Sequence, residues 1–370
     1  MLLTAQARGV YPIAPTPFFD DGRIDTESID RLTDFYGRIG STGITVLGQL
    51  GEAPKLGHDE SVQIASRMIK RAPSLPVIVG VSAPGFAAMR ALTHEVMSAG
   101  AAGVMIAPPN TLRTDDQIVG YYRQAVEAIG ADVPFVLQDY PLTFSVQMTP
   151  AVIRRIVTEL PSCAMLKHED WPGLEKITTL RGFERDGSMR HIAILCGNGG
   201  LFLDYEMERG ADGANTGYAF PDMLCDVVRL SADGQRDAAH DLFDAHLPLL
   251  RYEQQPGLGL AVRKYVMMRR GILTSSAQRK PAVALTAGRQ PDHIAQHVRK
   301  RVAGVRAVGA ALHLVVEKET AVAAQDRDVA HRAVALQRAQ RRDLLQARPV
   351  FVLEHHARRQ FGDDALDHRW

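Results

Sequence analysis

An eight-fold β/α barrel with a small helical extension is the fold this sequence predicts, and three observations predict it. Short β-type runs alternate with helix-length segments eight times between residue 9 and about 233. The alternation takes about 225 residues, close to the ~250 typical of such barrels. The first run, GVYPIAPTPF over residues 9–18, lacks the Gly-rich fingerprint that opens a doubly wound sheet, the runner-up architecture. The class is therefore α/β, a (β/α)8 TIM barrel with C-terminal helices.

The β-type runs are residues 9–15, 43–48, 76–81, 103–107, 133–138, 163–167, 192–197 and 212–216. Helical segments follow near 26–40, 59–72, 85–99, 115–130, 150–160, 173–182, 199–210 and 220–233. Polar start signals precede several of them: Asp25-Thr26, His58-Asp59, Thr114 and Thr149-Pro150. Gly40, Gly100, Gly130 and Gly210 stand where helices should stop. Residues 236–252 and 257–271 read as two further amphipathic helices, broken at Pro256-Gly257.

The predicted organisation is a barrel over 1–235, C-terminal helices packed on it over 236–286, and an atypical tail over 287–370. That last stretch holds no methionine and 13 Arg against 2 Lys, and its apolar residues are poorly phased. It reads as disordered, or as a gene end translated out of frame. Elsewhere the composition is ordinary: 46% hydrophobic and 23% charged, with a net charge of +1. Such a balance offers no attraction to nucleic acid or a membrane surface, and none is expected as a partner. No apolar run nears the ~20 residues of a membrane span, and the N-terminus lacks a basic, then apolar, leader. Cys163, Cys196 and Cys225 lie far apart, without zinc spacing, which suits buried thiols in a reducing, cytoplasmic setting.

The chemistry should sit at the C-terminal ends of the strands. The sixth run, CAMLK, ends in Lys167, where an apolar strand meets a polar loop, HEDWP. A lysine in such desolvated surroundings loses part of its preference for the charged form, and a neutral amine attacks ketones. Lys167 is the candidate catalytic nucleophile. Other strand ends contribute Thr16, Gln49, Leu50, Gln138 and Asn215 as candidate substrate-binding residues, and Tyr140 as a candidate acid/base. Glu52 is expected to serve the loop structurally. His168 alternates away from Lys167, and Asp139 and Glu169 are set by parity off the reacting face. No set of His, Asp and Glu at matching strand ends suggests a metal.

The opening GVYPIAPTPF, the GxxGE pattern of Gly48, Gly51 and Glu52, the lysine closing the sixth strand and the Pro134…Pro141 frame together resemble the dihydrodipicolinate synthase / N-acetylneuraminate lyase family. The resemblance covers roughly residues 9–280. It implies a Schiff base between Lys167 and pyruvate or another small 2-oxo or sugar-derived acid, with no cofactor or metal. It also implies a homo-oligomer, tetramer or dimer.

Departures from the family pattern narrow the activity. The family's strand-5 tyrosine is Gln138, which cannot titrate, so Tyr140 becomes the expected substitute. Gln49 and Leu50 replace hydroxyl residues that help hold the oxo-acid carboxylate. The synthase's arginine for a second carboxylate corresponds to Leu142 or Thr143. The aromatic pair after the fourth strand corresponds to Pro109-Asn110. The expectation is an aldolase or dehydratase other than dihydrodipicolinate synthase itself. A barrel that binds a small acid without turning it over is the alternative.

Overall fold

The computed structural model describes residues 1–304, apart from 172, 256, 287 and 289; residues 305–370, most of the atypical tail, lie outside the described residues. All eight expected strands form: β1 (Gly9–Val10), β2 (Ile44–Val46), β3 (Val77–Gly80), β4 (Gly103–Ile106), β5 (Phe135–Asp139), β6 (Cys163–His168), β7 (Ala193–Cys196) and β8 (Gly213–Ala214). They pair in parallel in the order β1-β8-β7-β6-β5-β4-β3-β2. A parallel bridge from Ile13 to Thr45 joins the two ends of that order. Ala14 N–H donates to Thr45 O at 2.8 Å, and Thr45 N–H to Pro12 O at 3.0 Å, which closes the ring.

The opposite seam, β8 against β1, needs glycine. Gly213 has φ +150°, and a Cβ there would lie 1.9 Å from the Gly9 carbonyl oxygen.

Around the ring run α1 (Thr26–Arg38), α2 (His58–Arg71), α3 (Phe86–Ser98), α4 (Asp115–Ile129), the one-turn α5 (Pro141–Phe144), α6 (Pro150–Glu159), α7 (Leu174–Arg185), α8 (Leu203–Glu208) and α9 (Pro221–Ala232). The caps follow the sequence signals. Asp25 accepts from Ser28 N–H at 2.9 Å, and Thr149 from Val152 N–H at 3.2 Å. Thr114 and Gln117 form a reciprocal capping box. For α2 the cap is Gly57 rather than His58, and its N–H is satisfied by Glu60 at 2.9 Å.

The C-terminal helices are α10 (Arg236–Glu253), α11 (Gly259–Arg269) and α12 (residues 292–304). The helical extension therefore continues beyond residue 286. Val298 in α12 is fully buried, with Ile294 and Val302 packed beside the same core. Their spacing of four residues is a helical stripe. Averaged over 84 residues of unusual composition, that short stripe is hard to see.

Glu52 ties this extension to the barrel mouth. It is 2% exposed and sits at φ +55° in the turn after β2. Its carboxylate accepts from Lys264 of α11 at 2.6 Å, from Lys55 at 2.9 Å and from the Arg279 N–H at 3.0 Å. Lys264 is wholly buried and donates also to Ala277 O at 2.7 Å. Burial pulls the Lys264 ammonium down to about 8, against the opposing pull of Glu52. Glu52 thus has the structural role expected of it. Removing one member of such a pair strands the other, so Glu52→Ala should cost about 3–5 kcal/mol. Urea unfolding of the variant measures this; a change within about 0.5 kcal/mol, the size of an ordinary surface effect, would show the hub to be dispensable.

Candidate active site

Lys167 reaches the barrel interior because of the register between β5 and β6. Phe135 pairs with Cys163 but Val136 pairs with Met165, so β6 carries one extra residue, Ala164, as a bulge. Beyond it Gln138 lies opposite Lys167, and Asp139 opposite His168. Met165 joins the inner cluster with Tyr11, Ile78, Met105, Val136 and Leu195, whereas Cys163 and Leu166 pack outward against the helices. Lys167 shares the inward face of Met165 and is 5% exposed.

The amine does not meet apolar walls alone. Lys167 Nζ lies 2.8 Å from Glu169 Oε2, and Gln138 Nε2 donates to the same oxygen at 2.7 Å. This corrects two expectations. Glu169 is not off the reacting face, because strand-type pairing continues past His168: Glu169 N–H donates to Asp139 O at 2.8 Å, and Gly197 N–H to His168 O at 2.7 Å. Residues 167 and 169 therefore keep the same side. The amine also has a carboxylate partner, which the apolar run before it does not announce. Spacing i, i+2 across the strand end was the available signal.

The end of β7 secures Glu169. Asn198 Nδ2 donates to the Glu169 carbonyl at 2.8 Å. Gly197 leaves room for the side chain, since a Cβ there would fall 2.1 Å from Glu169 Cγ. Gln138, with no titrating proton, thus has a definite role as a donor that aims a carboxylate.

The remaining candidates take varied places. Tyr140 is half-buried at the start of α5, its ring edge-on to Phe144 with centroids 6.1 Å apart. Burial, and then the Glu169 charge, push its phenol pKa up; Thr143 and Arg263 oppose the shift. Glu169, rather than Tyr140, is the group in contact with the amine. Thr16 is buried and its hydroxyl donates to Gly51 O at 2.6 Å, so its proton is engaged in shaping the β2 turn. Gln49 is exposed and Leu50 half-buried on that turn. Asn215 is fully buried deeper in the barrel, with Nδ2 3.8 Å from Met165 Sδ. Among the described residues, no group of three His, Cys, Asp or Glu is placed to hold a metal ion.

The outward residues of the same strands form a second ionic layer. Lys176 of α7 bridges Asp139 and Asp170, each at 2.7 Å. Asp139 is pushed up to about 6 by burial, against the opposing pull of Lys176. His168 faces away from the amine as expected. Burial and then the Lys176 charge press its pKa down to about 4.

Because that folded value lies below the ~6.5 of an unfolded histidine, the His168 contribution is complete above pH 6.5 and is lost as pH falls toward 4. Asp139 acts in the opposite sense in the same window, so comparison with a variant isolates the histidine. Between pH 7 and pH 4, His168→Asn should lose about 2–3 kcal/mol less stability than the parent protein. Equal losses in paired urea titrations would refute the assignment.

A closed β/α barrel with a buried amine and a carboxylate on its inward face is the arrangement of a lyase of the aldolase type. The chain belongs to the dihydrodipicolinate synthetase family, whose model matches residues 6–299. Members of that family are Schiff-base lyases that act on pyruvate. The crystal structure of dihydrodipicolinate synthase from Rhodopseudomonas palustris is 68% identical, covering 81% of this chain and 99% of that one, with a TM-score of 0.79. L-2-keto-3-deoxyarabonate dehydratase of Azospirillum brasilense is 29% identical over 287 residues, 75% of this chain and 89% of its own. The 4-hydroxy-tetrahydrodipicolinate synthase of Methanothrix thermoacetophila is 26% identical over 247 residues, 66% of this chain and 81% of its own. Among the described residues, no helix is long and apolar enough to cross a membrane.

Proposed function

We propose that this protein is a Schiff-base dehydratase of 2-oxo acids carrying a C4 hydroxyl, with Lys167 as nucleophile and Glu169 as acid/base. One observation carries the reading: a single oxygen, Glu169 Oε2, is shared between Lys167 Nζ at 2.8 Å and Gln138 Nε2 at 2.7 Å. The position that would hold the family's tyrosine instead steers a carboxylate onto the amine. That carboxylate can take the ammonium proton as the amine attacks and later move protons at the neighbouring carbon.

The amine adds to the C2 carbonyl and the carbonyl oxygen leaves as water, giving a protonated imine. Glu169 takes a proton from C3, and the electron pair left behind forms the enamine. That pair then expels the C4 hydroxyl, which departs as water with the proton that Glu169 returns. Hydrolysis of the conjugated imine frees the dehydrated acid and restores Lys167.

Condensation with a second carboxylate-bearing substrate is less well supported, since the corresponding arginine position is Leu142 or Thr143. Leu142 is exposed and apolar. The named activity of the A. brasilense relative belongs to the substrate class proposed. Assembly as a homo-oligomer in the cytoplasm forms part of the same reading.

Borohydride with pyruvate should leave a reduced adduct on Lys167, and Lys167→Ala should show none. Glu169→Gln should still be trapped, while its turnover of 2-keto-3-deoxy sugar acids falls by about 10²–10⁴-fold. Parent-like turnover in Glu169→Gln, or no mass gain on Lys167, would sink the mechanism. An adduct with no turnover of any 2-oxo acid would mark a binding protein instead.

A further inference from the structure

A 2-oxo acid joined to Lys167 carries a carboxylate one bond from the imine carbon, and the β2 turn has lost the hydroxyls that could hold it. The cations around the barrel mouth are mostly committed. Lys264 and Lys55 are bound by Glu52, Lys176 by Asp139 and Asp170, and Arg279 by Glu60. Arg263 of α11 differs. It is 4% exposed, yet among the described residues only its Nε is engaged, donating to Glu253 Oε2 at 2.9 Å. Glu253 is itself anchored by the Ala219 N–H at 3.2 Å. No hydrogen bond from Nη1 or Nη2 to another described residue is present.

The free end of this guanidinium lies at the mouth. A Cβ on Gly217, just past β8, would fall 3.3 Å from Arg263 Nη1 and 2.2 Å from Leu50 Cδ1. Arginine, the end of β8 and the β2 turn therefore converge on one spot. The Arg263 charge also reaches Tyr140, the same phenol that senses Glu169. Neither Nη is among the buried polar atoms that lack a partner, so this edge of the guanidinium is open to water or to a ligand at the mouth. Its planar edge matches a carboxylate with two parallel hydrogen bonds.

We propose that Arg263 is a substrate-binding residue whose free guanidinium edge receives the C1 carboxylate of the 2-oxo acid held by Lys167. This rests on the Schiff-base reading above and adds to it the source of carboxylate selectivity. The β2 turn then supplies shape through Leu50, and α11 supplies the charge.

The test compares borohydride trapping at Lys167 of the full chain by pyruvate and by hydroxyacetone, a ketone with no carboxylate. Arg263→Gln should raise the half-saturating pyruvate concentration on the order of 30-fold or more, the worth of charge-assisted hydrogen bonds. Hydroxyacetone should change by no more than about 2-fold, within ordinary variation for a surface-like effect. Arg263→Lys keeps a cation beside Glu253, guarding against misfolding, and should fall between the two. An unchanged pyruvate-to-hydroxyacetone ratio in both variants would overturn the proposal, because a merely structural arginine weakens both ketones alike. Absence of any adduct on Lys167 in the parent protein would instead bring down the Schiff-base reading, and this proposal with it.

Discussion

The bulge at Ala164 is the constraint on which the site depends. A strand has a period of two, so one extra residue exchanges the inward and outward sets beyond it. With the bulge, Met165, Lys167 and Glu169 share the interior and Leu166 and His168 face the helices. Without it, the imidazole would face the mouth and the amine would be forced against the helix layer. The pairing of Gln138 with Lys167 depends on the same shift, since β5 keeps its own regular alternation.

The same two strands therefore carry different electrostatics on each face. Inside are Gln138, Lys167 and Glu169, joined through one carboxylate oxygen. Outside, one residue along each strand, are Asp139 and His168, with Lys176 bridging Asp139 to Asp170. The outer layer fixes the loop after β6 from behind, because Asp170 lies immediately after Glu169 in the chain. A rigid second layer matters to a site whose donors must stay within hydrogen-bond distance of one oxygen. Asn198 and the space above Gly197 do the same from β7.

Much of this was legible in the sequence, and what was not has identifiable causes. The eight strands are apolar runs set between polar turns, and that contrast survives without any knowledge of pairing. Lys167 stood out because it interrupts such a run at its end. The structural part of Glu52 was also readable, as a charged residue inside a Gly-rich turn. Parity sets Glu169 off the reacting face only if the strand stops at the lysine; its backbone pairing runs two residues further, and parity then favours it. Arg263 gave no local signal at all. It lies in a helix whose Arg263 and Lys264 neighbours both look like solvent-facing charges, and only the packing of α11 over the mouth buries them. The stripe of Ile294, Val298 and Val302 was hidden by the composition around it.

Gln138 and Glu169 make best sense as a pair. An amide on β5 cannot carry a proton through a reaction, so alone it would be a loss. Beside a carboxylate two residues beyond the lysine it becomes a donor with a fixed target. The carboxylate in turn would lose its shorter fixed donor without that amide, leaving the amine and a longer Asn198 N–H contact to Oε1 at 3.5 Å. In the proposed mechanism the oxygen, shared between Nζ and Nε2, keeps its Gln138 donor once the amine bonds to carbon. A proton carrier that remains positioned after its partner has reacted is what the proposed later proton transfers require, and in that mechanism this pair would serve with no tyrosine.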